Sequence, residues 1–593
     1  MYAPAADTGV TVVEKDAALS SAYSPVDYMS ITSFPRLPED DVSADNTLKS
    51  RRDDDNFLSE QDTDPDLFLK SARLQRLPSS ASASRDVSPL RETSRDPLAQ
   101  DCACTRDGLT VIITACLTFA TGVTVALIMQ IYFGDPQVYN QGAVVTDVAR
   151  CTSLGFDVLG KQGSSVDAAI AASLCLGIIH PHTSGIGGGG VMLVHDIRRN
   201  ESRVVDFRET APSGIHQDMM LHVNQRSGLL VAVPGLISGL HQAHQLYGRM
   251  AWKDVITMAA DVARNGFNVT HELADALSEV KEQNVSNAFR DLFLPNGQAP
   301  LAGLFTKRLD LAAVLDRIAA NGVSEFYSGN LTQEITSEVQ AKGGVLTEDD
   351  FKNYTTVIQK PLQSLYQGYQ VFVPPPPHAG AALLSALNIL EGFNITNQVS
   401  RSNIYHWIAE SLKIALSQAS GLGDSMFDSS VSELVTQMLS KGQAAALRQK
   451  ISDSQASARN SIEPGKRPAS FLMPIAVRPS IGLCGTYVAL GSSNGERALS
   501  GITQVLINVL SSRNNMSDSV SYGRLHPLIQ NNTLLVDSKF AEADVKSLMQ
   551  KGHDVRKVDI ISLVEGTRRT NDLIIGVKDP RSTDASALSM SMP

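Results

Sequence analysis

The sequence predicts a layered α/β domain standing behind one membrane-spanning helix. Apolar helical stretches at 164–178, 234–247, 251–265, 308–320, 380–391 and 402–418 are interspersed with short apolar segments at 191–196, 203–207, 470–477, 484–491, 534–537 and 573–578. That mixture belongs to helices packed on a sheet and not to a helical bundle. A glycine run, Gly185-Ile186-Gly187-Gly188-Gly189-Gly190, joins the first of these helices to the strand VMLVHD. Ahead of all of them, residues 109–133 carry no charge and are long enough to cross a bilayer. The 43% hydrophobic content excludes a wholly disordered or collagenous chain, and 62 acidic against 51 basic residues argues against nucleic acid as the main partner.

Residues 1–108 come first and read as a disordered tail. They hold 12 Lys and Arg against 20 Asp and Glu, many serines, eight prolines and no sustained period. Low hydrophobicity with net charge leaves too little apolar area to offset the entropy of ordering. The run Leu109–Phe133 follows, and its threonines are compatible with a span because they can bond back to the helix backbone. It begins over a hundred residues from Met1, which excludes a cleaved signal peptide.

Arg91, Arg95 and Arg106 precede the run, and the first basic residue after it is Arg150. This asymmetry places the tail in the cytosol and residues 134–593 outside, a type II arrangement with a lumenal or extracellular domain. Asn-x-Ser/Thr acceptors agree. They occur at Asn200, Asn268, Asn284, Asn330, Asn353, Asn394, Asn515 and Asn531, all beyond the span. Cys102 and Cys104 at the cytosolic edge suit palmitoylation or plain thiols, and Cys116 lies within the span. Cys151 and Cys175 sit in the oxidising compartment and could pair, which leaves Cys484 single.

Within the outer domain the glycine run does not read as a phosphate loop. The order is helix, glycines, strand, and no Gly-Lys-Ser/Thr ending follows. Close backbone packing or positive φ explains the glycines better. Arg208 in DFRETAP follows a strand directly, where its guanidinium could fork onto a carboxylate; a surface arginine or one paired to Glu209 is the competing reading. Pro374 to Pro377 form a rigid extended loop between a strand and a helix. His406 and Glu410 share a helical face, but no third ligand is near in sequence, so a helix-surface pair is preferred to zinc.

Taken together these segments resemble the gamma-glutamyltransferase (glutathione hydrolase) family. The resemblance runs in order from about residue 139 to 590. It rests on VDAAIAASLCLGIIHPHTSGIGGGGVML (166–193), DFRETAP (206–212), VAVPGLISGLHQAHQLYGRMAWKDV (231–255), GGVLTEDDFKNY (343–354), PPPPHAG (374–380), LGDSMF (422–427), EPGKRPASFLMP (463–474) and GRLHP (523–527). The type II layout and the stretch VRPSIGLCGTYVALG resemble one member in particular.

The resemblance implies an N-terminal-nucleophile hydrolase, an αββα sandwich that cuts itself before a threonine. The freed threonine attacks the γ-glutamyl amide of glutathione and its conjugates, with its own α-amine as base. The acyl group then passes to water, an amino acid or a dipeptide, and neither a metal nor an organic cofactor is implied. By position, Arg208 matches the arginine that holds the α-carboxylate of the γ-glutamyl group. Ser470 matches the first of two serines that contact the same carboxylate; Phe471 replaces the second. Asn494 and Gly495 fall where the family has a Gly-Gly whose amides form the oxyanion hole. Cys151 and Cys175 match a disulfide of animal members.

One departure is large. The family's nucleophile lies between the LGDSMF-type and PGKRP-type segments, and here that interval holds a single threonine, Thr436, inside a helical pattern. Thr486 follows a glycine but lies after PGKRP, in a segment that matches a later strand, without a free amine. The nucleophile-bearing segment is therefore expected to be missing, with an incomplete central sheet. Two readings follow: a family member impaired in turnover, and a catalytically dead type II membrane glycoprotein that acts by binding or assembly.

Overall fold

Residues Gly108–Phe133 form one uninterrupted helix of 26 residues. The computed structural model describes residues 11–14, 108–133 and 142–590, apart from 282–284, 397, 450–461, 483–484, 530–532, 560 and 572. In the apolar helix Thr114, Thr121 and Thr124 donate to the carbonyls of Thr110, Leu117 and Ala120 at 2.7–2.8 Å. Their hydroxyls are satisfied within the helix, and the side chains of residues 109–129 are exposed. Contacts divide the chain into a unit of residues 19–136, which holds this helix, and a second unit of residues 1–18 and 137–593.

The second unit carries the strands. Strand β1 is Thr11–Glu14, and β2 is Gly142–Thr146. They pair antiparallel with Val12 opposite Val144. The sequence reading expects no strand before residue 108. TVVE is β-branched at three of its four positions, which suits a strand, but four residues are too few to reveal a period.

Helices Ala149–Gly160 and Ser165–Ile179 come next, joined by the Cys151–Cys175 disulfide. The second begins where it does because Ser164 and Asp167 cap it reciprocally, Asp167 N donating to Ser164 Oγ (3.0 Å) and Ser164 N to Asp167 Oδ2 (2.9 Å). The glycine run then leads into β3 (Val191–Asp196), which forms a hairpin with β4 (Glu201–Asp206). Helices Leu236–Tyr247, Trp252–Asn265 and Leu309–Asn321 follow, with a two-residue ladder of β5 (Phe267–Asn268) and β6 (Phe305–Thr306). Strand β7 (Val357–Gln359) returns to β4, and β8 (Leu362–Tyr366) pairs with β9 (Tyr369–Val373).

Helices Gly380–Glu391 and Arg401–Ala419 precede β10 (Ile475–Pro479) and β11 (Thr486–Ser492). The expected strand at 470–477 thus starts five residues late, because Ser470 is held in a different bridge. A small sheet of β12 (Leu525–Leu528), β13 (Thr533–Asp537) and β14 (Asp554–Val558) lies beyond, and β15 (Val564–Thr570), β16 (Leu573–Val577) and β17 (Ser586–Met590) complete the order.

Six strands form one sheet in the order β16-β15-β11-β10-β9-β8; β1-β2-β17 form a second and β3-β4-β7 a third. Strands β2 and β17 lie against β15 and β16. Helices 149–160 and 165–179 cover the outer face of β2, and helices 380–391 and 497–506 cover the six-stranded sheet. This is the αββα sandwich that the resemblance implies. Two hydrophobic cores result: one gathers Val371, Val373, Val488 and Leu490 with Leu383, Leu387 and Leu499, and the other gathers Ile170, Leu174 and Leu176 with Val205 of β4.

GRLHP finds its purpose in the packing of the C-terminal strands. Arg524 is 1% exposed and its Nη1 lies 2.7 Å from Asp579 Oδ2. Arg581 spans Asp579 (3.0 Å) and Asp537 (2.9 Å). These buried pairs hold β12, β13 and the turn after β16 together. Of the acceptor asparagines, Asn200, Asn268, Asn330, Asn353, Asn394 and Asn515 are exposed; Asn284 and Asn531 lie outside the described residues, as do Cys102, Cys104 and Cys484.

Candidate functional site

Strand β4 ends at Asp206 and delivers Arg208 to a buried position, 9% exposed. Arg208 Nη1 lies 2.9 Å from Glu209 Oε2, while its Nε has no hydrogen-bond partner among the described residues. Of the two readings of Arg208, the pairing with Glu209 is present, in a buried and not a surface position. Its backbone is fixed at both ends. Arg208 N donates to Asp206 Oδ1 (3.0 Å), and the Tyr354 hydroxyl donates to Arg208 O (2.9 Å).

The glycine run lies against this turn. Gly190 and Phe207 exchange backbone hydrogen bonds at 3.0–3.2 Å, and Gly188 O accepts from both Gly235 N and Leu236 N at 2.9 Å. A Cβ at Gly189 would stand 2.3 Å from Phe207 O, so no larger residue fits there. Close backbone packing accounts for this glycine, as the sequence order implies.

Ser470 reaches the same place through His378. The two form a parallel bridge, with Ala379 N donating to Ser470 O (2.8 Å) and Ser470 N to Pro377 O (3.0 Å). Ser470 Oγ accepts from Leu472 N at 3.0 Å. His378 is fully buried, and its Nε2 is 3.4 Å from Asp206 Oδ2, an electrostatic contact too poorly aligned to count as a hydrogen bond. Burial works against ionisation of Asp206, but His378, the Arg208 amide and Arg467 outweigh it and hold its carboxyl below the usual range.

A fourth motif closes the group. Asp424 of LGDSMF accepts from Arg467 N at 3.1 Å, and Arg467 Nη2 donates to Thr355 O at 2.9 Å. Ala211 N donates to Lys466 O (3.1 Å) and Gly465 N to Ala211 O (2.9 Å). DFRETAP, PPPPHAG, LGDSMF, EPGKRPASFLMP and the end of GGVLTEDDFKNY thus converge on Asp206 and Arg208. Sequence reasoning singled out Arg208 and Ser470 here but missed Asp206, Tyr354, His378, Asp424 and Arg467. The signal for all five was their place inside segments already quoted for the resemblance.

Asn494 and Gly495 are placed differently. Both are left-handed, with φ of 75° and 57°, as the tolerance of Asn for unusual φ allows. Asn494 Nδ2 donates to Ile561 O (3.2 Å), and the pair opens helix Arg497–Leu506. No hydrogen bond among the described residues ties them to the Arg208 group. Thr436 lies in helix Ser430–Leu439, its Oγ1 donating to Ser432 O (2.9 Å), as the pattern predicts. Thr486 is the first residue of β11, opposite Thr570, and not in mid-strand.

The reading of His406 and Glu410 as a bare surface pair needs correction. The fold brings His553 to them from 143 residues beyond Glu410, His406 Nδ1 lying 2.8 Å from His553 Nε2. His553 Nδ1 is 3.8 Å from Glu410 Oε1, which also pairs with Lys413 Nζ at 2.9 Å. The arrangement is a hydrogen-bonded histidine pair beside a carboxylate that Lys413 neutralises.

A family model described as Gamma-glutamyltranspeptidase matches residues 151–460 and 454–589. Glutathione hydrolase 7 of Homo sapiens is 54% identical over 647 residues, covering 96% of this chain and 98% of that protein. Glutathione hydrolase proenzyme of Bacillus subtilis subsp. natto is 37% identical over 300 residues, covering 49% of this chain and 51% of its own length. Among solved structures, a cephalosporin acylase from Bacillus halodurans superposes with a TM-score of 0.69 at 21% identity, over 77% of this chain and 97% of that one. At that identity the likeness is one of fold.

Proposed function

Since the chain belongs to the gamma-glutamyltranspeptidase family, we propose that it is a membrane-anchored member that keeps the carboxylate-binding arginine and lacks the nucleophile. In this reading Arg208 receives the α-carboxylate of the γ-glutamyl group of glutathione or a related compound, with Ser470 beside it. Turnover to water, an amino acid or a dipeptide is impaired, because no threonine with a free α-amine is available to attack the amide.

The observation that carries the reading is the interval between Asp424 and Arg467. Its two ends are in contact (Arg467 N to Asp424 Oδ2, 3.1 Å), so a segment between them can be lost without stretching the chain. What remains between them holds one threonine, Thr436, already bonded inside a helix. Two further observations support a lost segment. The family match falls into two pieces that meet at residues 454–460. The alignment to the human relative is 647 residues long against a chain of 593, so several tens of its positions find nothing here.

The carboxylate site survives the loss, since Arg208 is buried and fixed at both ends of its backbone. That favours a second reading, a protein that binds γ-glutamyl compounds without turning them over. Residues 1–108 would form the cytosolic part, 109–133 the span and 134–593 the external domain; the six exposed acceptor asparagines support that side for glycosylation. Such insertion separates Thr11 from Gly142 by the membrane, so in an inserted chain β1 must leave β2.

Electrophoresis of the deglycosylated full chain tests impairment directly. We expect a single uncut band near 63.6 kDa and no release of p-nitroaniline from a γ-glutamyl anilide. Two fragments, together with release that disappears in Arg208→Ala, would restore an active enzyme.

A further inference from the structure

We propose that His180, His182 and Glu272 form a site for a divalent transition-metal ion, with zinc the best fit to the ligand types. The three residues come from the end of helix Ser165–Ile179 and the start of helix His271–Val280, and one donor atom from each lies within 4.8 Å of the others.

His180 carries the inference. Its ring is fully buried, with Nε2 2.8 Å from Thr270 Oγ1 and Nδ1 without a hydrogen bond. Thr270 is the N-cap of its helix, and its Oγ1 accepts the Leu273 amide at 3.1 Å. Oγ1 has a second lone pair for the Nε2 proton, and in that tautomer, the one we assign, Nδ1 carries a lone pair. Nδ1 faces Glu272 Oε2 at 3.7 Å. Two electron-pair donors facing each other at this separation repel unless a cation lies between them. The distance is too long for a hydrogen bond. Two ligands, each about 2.0–2.2 Å from a tetrahedral zinc, stand roughly 3.4 Å apart, so a small closure seats the ion.

The supports of a metal site are present as well. A metal-binding imidazole commonly donates its second nitrogen to a fixed acceptor, the part Thr270 plays here. Glu272 is positioned through its backbone, whose N–H donates to Asp584 Oδ2 at 3.1 Å. His182, with its ring centroid 5.0 Å from that of His180, is exposed and gives solvent access to the ion. Negative charge gathers beside Glu272, where Asp584 and Asp275 both act on its carboxylate. Asp147, close enough to Glu272 for the two carboxylates to repel, is buried with Oδ2 unpartnered. With three protein ligands the fourth position is left to water, and the ion would clamp the end of one helix to the start of the other.

The test uses the detergent-solubilised full chain, stripped with chelator and titrated with zinc against a chromophoric competitor. We expect one ion bound per chain at micromolar zinc or below, and a cobalt-substituted form with the intense visible bands of a tetrahedral site. His182→Ala, a surface change that leaves the core intact, should weaken zinc at least tenfold. Thr270→Val should weaken it roughly ten- to a hundredfold through His180 alone. His553→Ala, in the other histidine group, should leave the titration unchanged. No uptake at 100 µM zinc, or uptake abolished by His553→Ala but not by His182→Ala, would overturn the site.

Discussion

Arg208 Nη1 is held 2.9 Å from Glu209 Oε2, and the arginine is only 9% exposed. The pairing keeps a buried cation from being uncompensated, and Nε is buried without a hydrogen-bond partner among the described residues; we assign it to the substrate carboxylate. Arg208→Ala should therefore lower the affinity for glutathione by roughly thirtyfold, about 2 kcal/mol for a charge-assisted bond. Arg208→Lys should recover only part of it, since a point charge cannot fork. Calorimetric titration of glutathione into the purified chain measures both; equal affinity in all three proteins would remove Arg208 from the site.

Neither remaining threonine near the expected cut should act as a nucleophile. Thr436 Oγ1 is bonded to Ser432 O inside a helix, and Thr486 is in register with Thr570 in the sheet. Thr436→Ala and Thr486→Ala should each give the same uncut band and the same absence of anilide hydrolysis as the parent. Should the parent itself be cut and hydrolyse the anilide, loss of both in one of these variants would identify that threonine as the nucleophile.

Arg524 offers a test of stability independent of the site. It is 1% exposed, and removing it leaves Asp579 buried with only part of its compensation from Arg581. Breaking a buried pair from one side costs about 3–5 kcal/mol. Arg524→Ala should shift the denaturant midpoint sharply or abolish soluble protein, whereas Arg556→Ala, at an exposed pair, should change little.

Much of this fold could be read from local pattern. The helix at 165–179, the glycine run and the strand at 191–196 stand where periodicity puts them, and the long apolar helix announces itself by length alone. The polar centre could not be read this way. His378 and Asp206 are 172 residues apart, and His553 joins His406 across 147, so no local period reports either contact. Local reading raised Arg208 and a Cys151–Cys175 pairing, and resemblance to a family added Ser470, but the residues that orient Arg208 emerged only when the chain was folded. Strand β1 escaped for a different reason: its four residues sit in a polar tail and pair only through an edge that lies beyond the apolar run.

Asp147, at the end of β2, should make stability depend on pH. Burial, reinforced by the nearby Glu272 charge, pushes its carboxyl up to about 8, and Glu565 is raised too, by burial and then by Asp147. The unfolded value is 3.8. Below it both states hold the proton. Between it and about 8 only the folded state does, so stability falls as pH rises, by up to about 1.4 kcal/mol per unit, and levels off above. Thermal melts should give a higher midpoint at pH 5 than at pH 8. Asp147→Asn should flatten the slope and raise the midpoint at pH 8; an unchanged slope would assign the effect to other groups.

The pairing of β1 with β2 and a crossing helix at 109–133 exclude each other in one chain, because Thr11 precedes the span and Gly142 follows it. Strand β2 is largely apolar, with Ala143, Val144 and Val145 fully buried, so its edge gains from any strand that pairs with it. Strand β1 pairs with that edge only while the chain is off the membrane. Val12 and Val144 are opposed in the ladder, so cysteines at both positions report the pairing. In Val12→Cys/Val144→Cys made without membranes, mild oxidation should join residues 12 and 144. The same protein inserted into microsomes should gain glycans and lose that cross-link. A glycosylated chain that still cross-links would show that residues 11–14 and 142–146 share one side, and the type II arrangement would be wrong.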